Sequence, residues 1–474
     1  MTRVLSVTSE CAPLVKTGGL ADVAGALPGA LAGEGVEMRT LLPGYPAVLG
    51  ALKDGQAIGA SEDLFGGPAR LIAGRAEGLD LLVLDAPHLY DRAQGIYLGP
   101  DGKDWPDNPE RFAALCQCAA QLAAGRLGDW RPDLVHCHDW QAGLAPYYLR
   151  RDGLRTPSVL TIHNIAFQGL APMARADDLG IAASDLTADK LEYWGQISAL
   201  KAGLVHADHL TTVSPTYARD LMTPEFGMGL DGVLRDRRDR LSGILNGIDL
   251  SVWSPGTDPH IRPYTTPRGK AVNRSALRAE LGLPEASGPL CVVVSRLTGQ
   301  KGLDLLLDAL PVLLGRGGQL ALLGSGDPAL EAGFAAIEHP DVAVRIGYDE
   351  ALSHRMIAGG DAVLVPSRFE PCGLTQLYGL RYGTVPLVAL TGGLADTVIP
   401  ATPATMARQV ATGLQFHPVT ADALANALAH LCDLFEHPKL WSKMQRNAMA
   451  HPVDWAPSAA AYAALYETLV AAAR

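Results

Sequence analysis

Short, uninterrupted apolar runs alternate with Ala/Leu-rich stretches along most of the chain. In the first half, Val4–Thr8 reads as a strand and leads into a helical pattern from Leu20 to Leu31. Further strands are predicted at Leu81–Leu84, Leu134–His138, Val159–His163 and His209–Val213, with helices between them. Strands that are apolar at every position are buried on both faces, and their alternation with helices marks a parallel sheet covered on both sides. A non-periodic, proline-bearing stretch around Trp253–Pro267 breaks the pattern. It then restarts with predicted strands at Leu290–Val294, Gln319–Leu323, Val342–Ile346, Ala362–Val365 and Pro386–Leu390. Two doubly wound α/β domains are therefore expected, with the boundary near residues 241–248. Ser458–Ala473 is Ala-rich and predicts a terminal helix that packs back onto the first domain.

Composition narrows the class. A length of 474 residues favours two or three cores, and 48% hydrophobic against 19% charged residues is ample to fill them. No run of about eighteen uncharged apolar residues occurs, so no membrane span is expected. The start, Met1 to Glu10, lacks the charged-then-apolar layout of a signal peptide and reads as the first strand. Seven cysteines, an odd number without regular spacing, point to a reduced, cytoplasmic setting. The net charge of -11 argues against a nucleic-acid partner, because phosphate backbones demand clustered Lys and Arg. It is compatible with a neutral polysaccharide, or with a nucleotide held by a few local cations.

Several segments carry chemistry, each at the end of a predicted strand. Lys16-Thr17-Gly18-Gly19 offers backbone N–H groups, a helix start and a full positive charge to an anion. The six residues Thr17–Asp22 recur identically as Thr391–Asp396, again between a strand and a helix, which suggests one role for both copies in gripping a ligand. In Ser295–Gly302, Arg296 and Lys301 flank a turn where open α/β sheets bind ligands, and they can converge on a diphosphate. In Pro366–Thr375, the N–H groups of Gly373, Leu374 and Thr375 face an anion at a helix start. Glu370 stands too close to that start to be a phosphate ligand and is expected to meet a sugar. Asp139, in His136–Trp140, and His163, in Thr161–Asn164, come at the same rim as the lysine loop. His136 and His138 point the same way on a strand, as a metal pair would, but no further ligands follow at suitable spacing. No Asp-x-Asp pair occurs, which removes a common anchor for a divalent cation. Gly324-Ser325-Gly326 alone is a weak nucleotide signal.

Together, KTGGLADV, HCHDW, TIHN, LKAGL, VSPTYA, LNGID, SRLTGQKGLD, SRFEPCGLTQLYGL and TGGLADTV resemble the bacterial glycogen synthase and plant starch synthase family. The likeness runs in order from Val4 to about Tyr466. It implies a GT-B fold, two Rossmann-like doubly wound parallel-sheet domains facing across a deep cleft. Residues 1–244 would form the acceptor-side domain, 245–457 the donor domain, and 458–474 the returning helix. It implies ADP-glucose as donor, an α-1,4-glucan as acceptor and retention at the anomeric carbon, by front-face attack or by double displacement. Carried onto this chain, the donor-binding set is Lys16, Gly18, Gly19, Asn246, Gly324, Tyr348, Cys372, Gly373, Leu374 and Thr375, with Tyr348 stacking on the nucleobase. Arg296 and Lys301 match the diphosphate-binding cations, and Asp139, His163 and Glu370 line the reacting glucose. No metal or cofactor is expected. A UDP-sugar enzyme is the nearest alternative; a metal hydrolase and a non-catalytic two-lobed sugar-binding protein lie further off. Two departures stand out: Cys137 where alanine is common, and Trp194 where tyrosine is common.

Overall fold

The computed structural model describes residues 1–92 and 95–473. Arg474, the last residue of the expected terminal segment, lies outside them. The chain divides into two compact units: Met1–Asn246 together with the chain from Trp455 onward, and Gly247–Asp454. These limits fall two or three residues from the 244/245 and 457/458 divisions read in the sequence. Backbone pairing explains the difference. Ile248 N donates to Val453 O inside the second unit, while Ser458 Oγ donates to Leu245 O inside the first.

The first unit is built on β1 (Thr2–Val7), β2 (Val36–Pro43), β3 (Lys53–Ser61), β4 (Ala69–Ala76), β5 (Leu79–Asp85), β6 (Leu134–His138) and β7 (Ser158–Ile162). A small antiparallel sheet follows, of β8 (Leu170–Pro172), β9 (Glu192–Tyr193) and β10 (Gln196–Ser198), and then β11 (His209–Thr212) and β12 (Leu241–Gly243) complete the main sheet. The main sheet runs in the order β12-β11-β7-β6-β1-β2-β5-β4-β3. From β12 to β5 every pair is parallel. The edge departs from the all-parallel expectation, because β3, β4 and β5 pair antiparallel. The cause is local: β4 and β5 are joined by Glu77 and Gly78 alone, both at positive φ (50° and 80°). Two residues in that conformation close a hairpin, whereas a parallel neighbour needs a long crossover.

The terminal helix Ala456–Ala473 returns to the first unit. Trp455, Tyr462 and Tyr466 pack there with Val4, Val23, Leu27, Leu31, Leu134 and Val159, the buried faces of the helix Gly19–Ala32 and of three central strands. Fully burying an aromatic or leucine side chain contributes about 1.5–3 kcal/mol, so this cluster holds the helix firmly.

The second unit is wholly parallel, with β13 (Leu290–Val294), β14 (Gln319–Gly324), β15 (Val342–Ile346), β16 (Ala362–Val365), β17 (Val385–Ala389) and β18 (Leu414–Phe416). Their order is β15-β14-β13-β16-β17-β18. In both sheets the order of strand addition reverses next to the first strand, at β1/β6 and at β13/β16. The crevice outside the carboxyl ends of such a pair is where open α/β sheets take ligands. Among the described residues no helix is long and apolar enough to cross a membrane.

Candidate active site

At the β1/β6 switch point, the loop after β1 carries Glu10, which sequence reasoning passed over. It is 3% exposed. One carboxylate oxygen accepts from the N–H groups of Thr17 (2.6 Å) and Gly18 (3.2 Å). The other accepts from Thr17 Oγ1 and Tyr97 OH, each at 2.7 Å. The N–H cradle expected to face a ligand anion is thus partly filled by a carboxylate of the chain itself. The only hint in the sequence is an acid standing directly after an apolar strand. Lys16 is half-exposed and donates to Asp22 Oδ1 at 2.8 Å, so its ammonium is held at the loop mouth.

Asp139 follows β6 with φ 53° and ψ -165°, a backbone costly for any residue but glycine. The strain is held by three bonds. Asp139 N donates to Thr161 O (2.9 Å), and Asp139 Oδ1 accepts from the N–H groups of His163 (2.7 Å) and Asn164 (3.3 Å). Burial pushes its carboxyl up to about 7; the two N–H bonds pull the other way, and the Glu10 charge adds to the rise. His163 is buried, and its Nε2 lies 3.0 Å from His138 Nδ1. His138 Nε2 meets Ser6 Oγ at 3.2 Å. His136 is committed elsewhere, to Tyr466 OH (2.7 Å) and Thr161 Oγ1 (2.6 Å). Both histidines of the conceivable metal pair are therefore engaged in protein hydrogen bonds. Among the described residues no group of three or more His, Cys, Asp or Glu is placed to hold a metal ion.

At the β13/β16 switch point of the second unit, Lys301 Nζ lies 2.6 Å from Glu370 Oε2, and Ser367 Oγ donates to the same oxygen at 2.8 Å. Two loops from neighbouring strands are locked here. Arg368 donates to Gly299 O and to both carboxylate oxygens of Asp304, and its N–H donates to Gln300 O. Close approach requires glycine at Gly302 (φ 64°), where a Cβ would stand 2.1 Å from Pro366 O. Arg296 is exposed and makes no ion pair or side-chain hydrogen bond among the described residues. The N–H groups of Gly373, Leu374 and Thr375, opening the helix Thr375–Tyr382, donate to no group among them either. Cys372 is buried, and its carbonyl takes Gln376 Nε2 at 2.9 Å. Gly324 ends β14 and its carbonyl accepts from Gly347 N (3.0 Å), which places Tyr348 at this rim with 76% of its surface exposed. The Tyr348 hydroxyl donates to Glu350.

The repeated Thr-Gly-Gly-Leu-Ala-Asp plays two different structural parts. In the first copy the loop backbone binds Glu10. In the second, Gly393 N donates to Glu370 O (3.0 Å) and Pro371 O (3.1 Å), and a Cβ on Gly392 (φ 43°) would stand 2.1 Å from Glu370 O. The second copy therefore supports the Glu370 loop from behind. Asn246, at the end of the first unit, is 9% exposed, and its buried Oδ1 has no hydrogen-bond partner among the described residues.

Each of the two doubly wound units gathers charged groups at its own switch point, where open α/β sheets take ligands. Residues 3–236 match the family model of the starch synthase catalytic domain, and residues 288–433 match that of group 1 glycosyl transferases. The chain is 66% identical over 474 residues to the glycogen synthase of Paracoccus denitrificans (strain Pd 1222), covering 99% of this chain and 100% of that one. It is 64% identical over 469 residues to the glycogen synthase of Jannaschia sp. (strain CCS1), covering 98% and 99%. The catalytic domain of starch synthase IV from Arabidopsis thaliana, solved with ADP and acarbose, superposes with a TM-score of 0.88 at 32% identity over 99% of both chains. The chain belongs to the glycogen synthase and starch synthase family.

Proposed function

We propose that this enzyme transfers glucose from ADP-glucose to the non-reducing end of an α-1,4-glucan, with retention at the anomeric carbon. The observation that carries the reading is the anion seat at the β13/β16 switch point. It comprises the unpaired Arg296, Lys301 beside Glu370, and the unengaged N–H groups of Gly373–Thr375. Fixed cations and a helix start aimed at a departing diphosphate stabilise charge that develops in the transition state, without a divalent ion. Relatives named as glycogen synthases, and a starch synthase bound to ADP and acarbose, support the donor and the glucan. The exposed Tyr348 ring offers a face for the nucleobase. The buried free thiols support a cytoplasmic setting.

In the proposed step the bond between the anomeric carbon and the β-phosphate oxygen breaks. The 4-hydroxyl of the acceptor forms the new bond on the same face, and its proton passes to the departing phosphate. Glu370 is engaged by Lys301 and Ser367, and Asp139 by two backbone N–H groups. Both act as orienting carboxylates, which favours this route over covalent attack by a carboxylate. The test is to incubate the purified protein with ADP-glucose or UDP-glucose, with and without a glucan primer, and to measure nucleoside diphosphate release. Glucan-dependent release from ADP-glucose is expected. Absence of glucan-dependent release from either donor overturns the proposal.

A further inference from the structure

Three histidines line the carboxyl ends of β6 and β7, and only His163 was expected to meet the sugar. His136, His138 and His163 form one buried ladder, with ring centroids 4.2 Å apart for the first pair and 5.2 Å for the second. His136 and His138 are 0% exposed. Burial holds all three imidazoles neutral, with His138 lowered to about 3 and the other two well below their ordinary value. A neutral imidazole has one donor and one acceptor, so each bond in the ladder contains one proton and the direction of donation can be worked out.

The outer branch anchors the ladder. Tyr466 OH lies 2.7 Å from His136 Nδ1, His136 Nε2 lies 2.6 Å from Thr161 Oγ1, and Thr161 Oγ1 lies 2.5 Å from Thr211 Oγ1. His136 is thus held at both ring nitrogens, by the terminal helix on one side and by Thr161 on the other. The inner branch runs from Ser6 through His138 to His163. Ser6 is 1% exposed, and its hydroxyl has no partner other than His138 Nε2 among the described residues. If His138 donated to Ser6, the serine proton would be buried without an acceptor, which is costly. The satisfied arrangement is Ser6 O–H to His138 Nε2, then His138 Nδ1–H to His163 Nε2. His163 Nδ1 makes no hydrogen bond among the described residues and is left carrying a proton.

We propose that His138 is a positioning residue, which fixes the His163 ring in one orientation and in its Nδ1–H tautomer, so that His163 presents an N–H donor to a hydroxyl of the reacting sugar. The inference rests on the reading of His163 as a sugar-lining residue. It adds that the donor is preset by Ser6 and His138 before any ligand arrives. An aligned donor costs no reorganisation during the reaction, whereas a free ring would have to be ordered each time.

The experiment uses the full-length protein in two arms. Long-range 1H–15N correlation on histidine-labelled protein without ligand reads the tautomer directly. The Nδ1–H form is expected for His163, and the Nε2–H form in the folded protein overturns the proposal. In the second arm, His138→Leu removes the donor, while His138→Asn keeps an N–H near the Nδ1 position. His138→Leu is expected to lower kcat by about 10–100-fold, with smaller changes in KM, and His138→Asn to restore most of the rate. A folded His138→Leu protein with unchanged kcat, or equal losses in the two variants, overturns it. Should His138→Leu fail to fold, the tautomer measurement decides alone. A wild-type protein without glucosyl transfer would instead sink the functional reading, whatever the tautomer.

Discussion

Lys301 Nζ and Glu370 Oε2 stand 2.6 Å apart, with side chains only 19% and 8% exposed. The diphosphate cation and the sugar carboxylate expected from the sequence thus neutralise each other across two neighbouring loops. Removing the lysine alone leaves a nearly buried carboxylate without its cation, whereas removing both charges leaves neither. Lys301→Ala is expected to destabilise the protein, and adding Glu370→Gln to recover part of that loss, with a coupling of about 0.5–3 kcal/mol. Denaturant unfolding of the two single variants and the double variant measures the coupling; strictly additive values contradict the pairing.

Asp139 supplies a pH dependence. Its folded carboxyl holds a proton up to about pH 7, while the ordinary value is 3.8. Between these limits the folded state binds more protons than the unfolded one, so this group's contribution to stability falls as pH rises and levels off above 7. Asn at this position cannot titrate and still accepts the two N–H bonds. The melting temperature of Asp139→Asn relative to the native protein should therefore rise between pH 4.5 and pH 8, by about 2–4 °C. A difference that stays constant with pH contradicts the shift.

The glycines of the two repeated motifs should differ in their effect on stability. Gly18 has φ -159°, which any residue adopts, and a Cβ there meets nothing within 4 Å. Gly18→Ala is expected to keep the melting temperature and to weaken catalysis only through ligand approach. Gly392→Ala forces a Cβ against Glu370 O, so it should lower both the melting temperature and kcat/KM, the latter by about 100-fold. Calorimetry beside steady-state kinetics separates the two.

Because the proposed anion seat is built from Arg296, Lys301 and backbone N–H groups, glucosyl transfer should persist after exhaustive chelation. Loss of activity in EDTA, restored by magnesium or manganese, would contradict that assignment.

Much of the fold was legible because the central strands are short buried runs dominated by apolar residues and end in chemically distinct loops. Leu134–His138 and Leu290–Val294 were read with the bounds they have in the structure. The strand Lys53–Ser61 was not legible, since most of it is exposed and its Lys, Asp, Gln, Gly and Ala positions show no alternation. At the site, Arg296, Lys301, Glu370 and Gly373–Thr375 were identifiable from charge and glycine placement beside strand ends. Glu10 was not recognised and His138 was weighed only as half of a metal pair, because their importance lies in partners 7 to 132 residues away that only the folded chain brings together. What the identical Thr-Gly-Gly could not show is that its backbone binds a carboxylate in one loop and supports the Glu370 backbone in the other.

Glucosyl transfer with retention leaves its mark in the linkage of the product. ADP-glucose labelled with 13C at the anomeric carbon, incubated with a maltooligosaccharide and the enzyme, can be followed by NMR. The label is expected in an α-1,4 linkage at the non-reducing end, with ADP released in equal amount. Label in a β linkage, or recovered only as free glucose, would contradict it.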